Sequence, residues 1–260
     1  MPNDLTTLCI VTGPAPALLA FRNRCLRVPD GGGPGSIVLD FQAILPMPEA
    51  LIDTTRSGET AIAIEALTGQ TPDTIGAGSA LATDWARERD LTTLEQLRAH
   101  LEENRPELLA AARRCLAAFA ATGHYSWYDW CLEHWGTKWN CYAFKEVSAT
   151  PDRYEFRFDT AWGFPTPIFR RLAADFPELT FECACFDALA NFGALGRFGN
   201  GVCTFAETEP TEALYERVYG APPHPHHGAP QDQAHPQRRG RLARLSRRVI
   251  SWLGRGRKPG

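Results

Sequence analysis

Seven residues, RYEFRFD at Arg153–Asp159, alternate apolar and charged side chains without a break. A strand's side chains point to opposite faces in turn, so Tyr154, Phe156 and Phe158 share one face and Glu155 and Arg157 the other. This pattern belongs to a sheet that is dry on one side and wet on the other. Neighbouring segments agree. LTFECAC at Leu179–Cys185 alternates again, and Gly199-Asn200-Gly201 between two β-prone runs is a strong hairpin signal. Thr166-Pro167 opens a helix with Ile168, Phe169, Leu172 and Phe176 as its buried stripe, which Pro177 stops. Strands with so few helices between them argue for an antiparallel or mixed sheet.

The first half begins with LTTLCIVT at Leu5–Thr12, a strand closed by Gly13-Pro14. Ala15 to Leu26 carries Leu18, Leu19, Phe21, Arg22 and Cys25 at roughly helical spacing, before the loop PDGGGPGS. Ser36 to Phe41 reads as a second strand, so the chain opens β-α-β. Between Pro46 and Ser79 short apolar patches interrupted by Gly, Thr and Pro predict loops and short pieces. From Asp84 to Thr122 the pattern is helical, with a capping box at Thr92/Glu95 or Thr93/Gln96. Pro106 suits the first turn of a helix whose stripe is Leu108, Leu109, Ala112, Leu116, Phe119 and Ala120, ending near Gly123.

In a chain of 260 residues, 44% hydrophobic and 10% aromatic, there is enough to build a substantial core. Neither a secretory leader nor an eighteen-residue apolar run is visible, so the cytoplasm is the expected location. The eight cysteines are scattered and read as free, mostly buried thiols. Charge is divided unevenly. Residues 221–260 hold nine Lys and Arg against Asp232 alone, which leaves residues 1–220 with 18 basic against 29 acidic groups, a balance of −11. An acidic body with a basic tail is not a generic nucleic-acid-binding domain.

After Gly220 the composition becomes PPHPHHGAPQDQAHPQ, with almost nothing to bury, so residues 221–240 read as a disordered linker. Its His224, His226, His227 and His235 are most simply linker composition. In residues 241–260, Leu242, Leu245, Val249, Trp252 and Leu253 form one helical stripe, while Arg244, Arg247 and Arg248 lie elsewhere around the axis. A helix this short is marginal alone, so it is expected to form on an acidic partner, an anionic membrane surface, nucleic acid or the acidic body itself, the alternative being a merely solubilising basic tail.

The stretch WYDWCLEHWGTKWNCY at Trp127–Tyr142 holds four of the seven tryptophans. Ser126 and Asp129 can cap a short helix, and Gly136 can end it in a left-handed conformation. Trp127, Trp130, Cys131 and Trp135 then form its inner part and plug the core, the commoner use of a compact aromatic cluster. The sharper alternative is an exposed recognition turn of Thr137, Lys138 and Trp139, with the lysine held over an aromatic face. His124, Cys131, His134 and Cys141 are a weaker metal alternative, because only Cys131 and His134 are closely spaced. His124, Asp129, Glu133 and His134 supply acid–base groups for an enzyme, although no established catalytic motif is present.

MPN at the start, TGP at Thr12–Pro14, LDFQAILPMPEAL at Leu39–Leu51, WYDWCLEHWGTKWN at Trp127–Asn140 and FDTAWGFPTPIFRRLAADFPELTF at Phe158–Phe181 together resemble the YubB-type ferredoxin-like domain family, proteins of unknown function associated with conjugative plasmids and phages. The resemblance covers most of residues 1–206, and WGTKWN is its most specific element. Asp4 and Leu5 depart from it, since the family commonly has Trp-Cys after MPN. It implies an α+β fold of the ferredoxin-like kind, with helices packed on one face of an antiparallel or mixed sheet, and its motif rests on the tryptophans, Gly136 and Lys138 rather than on cysteines and histidines. The name describes topology: no C-x-x-C is present, and the C-x-C at Cys183 and Cys185 places both thiols on one strand face, so no iron–sulfur cluster or other cofactor is expected. The expected organisation is a ferredoxin-like body over 1–220 with a helical insertion at about 84–122 and the motif-bearing half at about 123–206. The expected function is that of a non-catalytic accessory protein contacting protein or nucleic acid, the alternative being a small hydrolytic or metal-dependent enzyme around His124–His134.

Overall fold

The central strand β1 (Asp4–Thr12) is buried from Leu5 through Val11. A run of seven buried residues means that both faces of the strand are covered. β1 pairs antiparallel with β5 (Arg153–Ala161) on one side and β6 (Thr180–Asp187) on the other, with Cys9 opposite both Phe156 and Cys183. Adding β4 (Tyr142–Ala149), β7 (Phe192–Gly199) and β8 (Val202–Thr208) completes a six-stranded antiparallel sheet in the order β4-β5-β1-β6-β7-β8. The computed structural model describes residues 3–29, 36–70 and 79–223, and residues 1–222 form one compact unit. The linker from residue 224 onward and the tail of residues 241–260 lie outside the described residues.

The alternation read at 153–159 is realised: Tyr154, Phe156 and Phe158 are essentially fully buried. They face α1 (Ala15–Cys25) and α8 (Thr166–Asp175), which contribute Leu18, Phe21, Cys25, Ile168, Phe169 and Leu172 to the same core. Phe21 meets Tyr154, Phe176 and Phe181 edge-on at 5.5–6.5 Å, a preferred arrangement for aromatic quadrupoles. Cys183 and Cys185 share this dry face, and burial drives both thiols well above the usual thiol range.

Helices do not cover one face alone. Ala184 and Phe186 point the other way from Cys183 and Cys185 and pack against Leu214 and Val218 of α9 (Glu212–Tyr219), so the expectation of one-sided packing is corrected. The physical reason is the continuous apolar run of β1, which leaves Leu8 and Ile10 needing cover on the second face. The β7–β8 turn has Asn200 and Gly201 at φ 51° and 74°, the two successive positive values of a type I′ hairpin.

The opening β-α-β reading is also corrected. Ser36–Phe41 supplies only β3 (Val38–Leu39), paired with β2 (Leu26–Arg27) outside the main sheet, and the chain turns into α2 (Phe41–Ile44) under an Asp40 cap. Residues 46–83 include a regular helix, α3 (Gly58–Thr68), capped by Ser57 and ended by left-handed Gly69. With α4 (Asp84–Arg87), α5 (Leu94–Asn104) and α6 (Pro106–Thr122), it builds a second apolar cluster from Ala63, Ile64, Leu97, Leu101, Leu109 and Ala112. The helical region therefore begins near residue 58 rather than 84. Thr93 and Gln96 form the capping box. On α6 the buried line runs through Leu109, Ala112, Cys115 and Ala118, while Phe119 stacks on Tyr125 at the surface with centroids 4.2 Å apart.

Candidate functional site

Trp127–His134 forms helix α7, with the Ser126 hydroxyl accepting from the Asp129 N–H. Its end is set by Gly136 at φ 79°, whose N–H donates to the Cys131 carbonyl. A Cβ at Gly136 would lie 2.9 Å from Pro167 and 3.1 Å from the Phe164 carbonyl, so a side chain is excluded there as well as disfavoured by backbone. The helix buries Trp130, Cys131 and the following Trp135 in the main core. Trp135 meets Phe41 edge-on at 5.9 Å and donates its indole N–H to the Leu45 carbonyl at 2.9 Å. These rings are the plug expected of a buried aromatic cluster, with the polar indole edge satisfied.

The turn after α7 is different. Thr137 is buried and donates its hydroxyl to the Ala161 carbonyl at 2.8 Å, tying the turn to the end of β5. Asn140 braces the other side, accepting from the Phe41 and Cys141 N–H groups and donating to the Asp40 carboxylate. Between these two anchors the Lys138 ammonium lies 4.4 Å from the Trp139 ring centroid, 5.0 Å from that of Trp162 and 5.9 Å from that of Tyr128. All three distances fall within cation–π range. Trp162 is 46% exposed and adopts a left-handed backbone at φ 68°, uncommon for a bulky residue. Its N–H donates to the Asn3 carbonyl, holding that conformation against the start of β1.

Thr137, Lys138 and Trp139 are thus brought together as one turn, and Lys138 is the member that faces the rings. Tyr128 and Trp162 complete the cluster and were not singled out by sequence reasoning. Tyr128 lies between the plug residues Trp127 and Trp130 on a helix too short to show periodicity, and Trp162 comes from the strand-to-helix turn at Trp162-Gly163, a non-local neighbour whose signal was only an aromatic beside a glycine.

The proposed metal quartet does not assemble. Cys131 and Cys141 are buried, burial pushes both thiols up to about 12, and Cys141 donates to the Leu39 carbonyl. His124 and His134 instead meet Glu133, their ligand atoms and the Glu133 carboxylate all lying within 4.8 Å of one another. His124 Nε2 is 3.0 Å from the Glu133 carboxylate, and its Nδ1 is 3.1 Å from the Thr122 carbonyl. Burial lowers the His134 pKa below the usual histidine value, with Glu133 opposing and His124 reinforcing the shift. Asp129 belongs elsewhere, paired with Arg56 at 3.0 Å, so the four acid–base candidates form no common centre. Two shallow grooves, of about 430 Å³ beside α9 and about 280 Å³ beside the β7–β8 turn, are lined by neither set. Arg244, Arg247, Arg248 and Trp252 lie outside the described residues.

The fold and these clusters define an α+β sheet protein with an aromatic-caged lysine at one surface. No protein-family model matches the chain, and no curated protein matches it. Among solved structures it is similar to a protein api92 from Yersinia pseudotuberculosis, assigned to the domain-of-unknown-function family DUF1281, at 11% identity and a TM-score of 0.40 over 80% of this chain and 98% of that one. No helix of the described residues is long and apolar enough to cross a membrane.

Proposed function

We propose that this chain is a non-catalytic accessory protein of mobile genetic elements that contacts a partner protein through the surface around Lys138. The observation that carries the reading is the placement of Lys138 among Tyr128, Trp139 and Trp162, with Trp162 exposed. Solvent-facing tryptophan and tyrosine held rigidly beside a cation are the side chains from which interface hot spots are made. A protein is favoured over nucleic acid because residues 1–220 carry −11, which repels a polyanion approaching the body. Arg244, Arg247, Arg248 and Trp252 add attachment to anionic partners, an acidic membrane surface included. The mobile-element assignment is supported by the sequence stretches that resemble the YubB-type family. A ferredoxin-like body is supported by the order β4-β5-β1-β6 together with α1 after β1 and α8 after β5: a split β-α-β arrangement with a helical insertion before β4 and the β7–β8 hairpin added at the far edge.

The test is a quantitative pull-down from the native host with the wild-type chain and with Lys138→Ala/Trp162→Ala. A partner protein held by the wild type and weakened by roughly 30-fold in the double variant, as for loss of a hot spot, is expected while both chains melt together. Equal recovery by the two chains overturns the reading, and nucleic acid recovered in place of protein transfers it to that class.

A further inference from the structure

The meeting of His124, Glu133 and His134 is unexplained by the aromatic surface. Thr122 locks the first of these residues: its hydroxyl accepts from the His124 N–H at 3.2 Å, and its carbonyl lies 3.1 Å from Nδ1. A carbonyl only accepts, so Nδ1 carries the hydrogen and Nε2 is left to face Glu133 Oε2 at 3.0 Å. Two acceptors face each other there unless a proton or a metal cation lies between them. A proton satisfies that pair alone, whereas a multidentate cation also uses the His134 nitrogen, which lies within 4.8 Å of a ligand atom of each.

We propose that His124, Glu133 and His134 form a binding site for a borderline divalent transition ion of the zinc class. Two imidazoles and one carboxylate suit such ions and not magnesium or calcium, which favour all-oxygen sets. The contact from His124 Nδ1 to a backbone carbonyl is the outer-shell partner that fixes the tautomer of a metal-binding histidine. His134 is held by its ring packing 4.6 Å from the buried Trp130. Metal–ligand bonds of about 2.1 Å in a tetrahedron put ligand atoms about 3.4 Å apart, so closure from separations of up to 4.8 Å needs a shift of up to about 1.4 Å. The Glu133 carboxylate already stands 3.0 Å from His124 Nε2, and its side chain, 69% exposed, has room to adjust to an ion. Three protein ligands leave a coordination position open to water or an incoming group.

The experiment uses the full chain without an affinity tag, carrying His224→Ala, His226→Ala, His227→Ala and His235→Ala to remove the linker imidazoles. Calorimetric titration with Zn2+ is expected to give one site per chain, and His134→Asn to weaken it about tenfold or more. Should His134→Asn unfold, Glu133→Gln at its exposed side chain provides the same comparison. Substituted Co2+ is expected to show a nitrogen–oxygen ligand field without a sulfur charge-transfer band. No saturable binding, binding unchanged in a folded His134→Asn or Glu133→Gln chain, or a sulfur band overturns the site.

Discussion

Tryptophans drawn from two segments divide between core and surface. Trp135 is 6% exposed with its indole bonded to Leu45, whereas Trp162 is 46% exposed and rests its ring beside Lys138. Truncating them separates the two roles. Trp135→Ala is expected to cost roughly 3–5 kcal/mol in urea unfolding, the range for emptying a buried aromatic site. Trp162→Ala should stay within about 0.5 kcal/mol, as surface substitutions usually do. Similar losses at both positions would mean that Trp162 also supports the core. The left-handed backbone of Trp162 has no sequence signature, because it is imposed from outside by the Asn3 carbonyl.

At the level of elements, local signals succeeded where one residue decides the geometry. Ser126 caps α7, Gly136 ends it, Pro106 opens α6 and Asn200-Gly201 makes the hairpin. They failed on α3, whose Thr60, Ala61, Ala63, Ile64, Glu65 and Ala66 are all buried. A helix buried around most of its circumference has no polar face to mark its period. Glu65 within it is satisfied by Ala80 and Ser79, partners contributed by a later segment. On strand β5, burial raises the pKa of Asp159, with Asp4 adding to the shift and Thr6 and Arg157 opposing it. A carboxyl whose folded pKa lies above its unfolded value stabilises the fold when protonated and loses that contribution as pH rises. Asp159→Asn is therefore expected to raise the melting temperature at pH 7, with the gain disappearing toward pH 3.8, the usual carboxyl value. A gain that persisted unchanged in acid would assign it to something other than charge.

For the molecule as a whole, the acidic body and basic tail predict a separable attachment. Deleting residues 238–260 is expected to abolish salt-sensitive binding to anionic vesicles while leaving the melting temperature nearly unchanged, because residues 1–222 form their own compact unit. Absence of such binding in the intact chain at low salt would remove the tail from the account. The sheet's edges present a further contrast. β4 is broken by register shifts at Tyr142/Lys145 and Glu146/Ser148, while β8 pairs with β7 in unbroken register. Bulges are one device that blunts an edge against unwanted pairing.

The amino-acid sequence by itself determined what depends on period and on special backbone: the alternating strands, the capped helices, the type I′ turn and the burial of Trp130 and Trp135. Tertiary structure alone decided what depends on residues distant in the chain. It set the strand order, brought α9 to the second face of β1, placed Trp162 beside Lys138 and drew His124 to Glu133 and His134 in place of the cysteines. Periodicity reports which side of an element is dry, whereas contacts between distant segments are chosen by packing, which leaves no trace in any one segment.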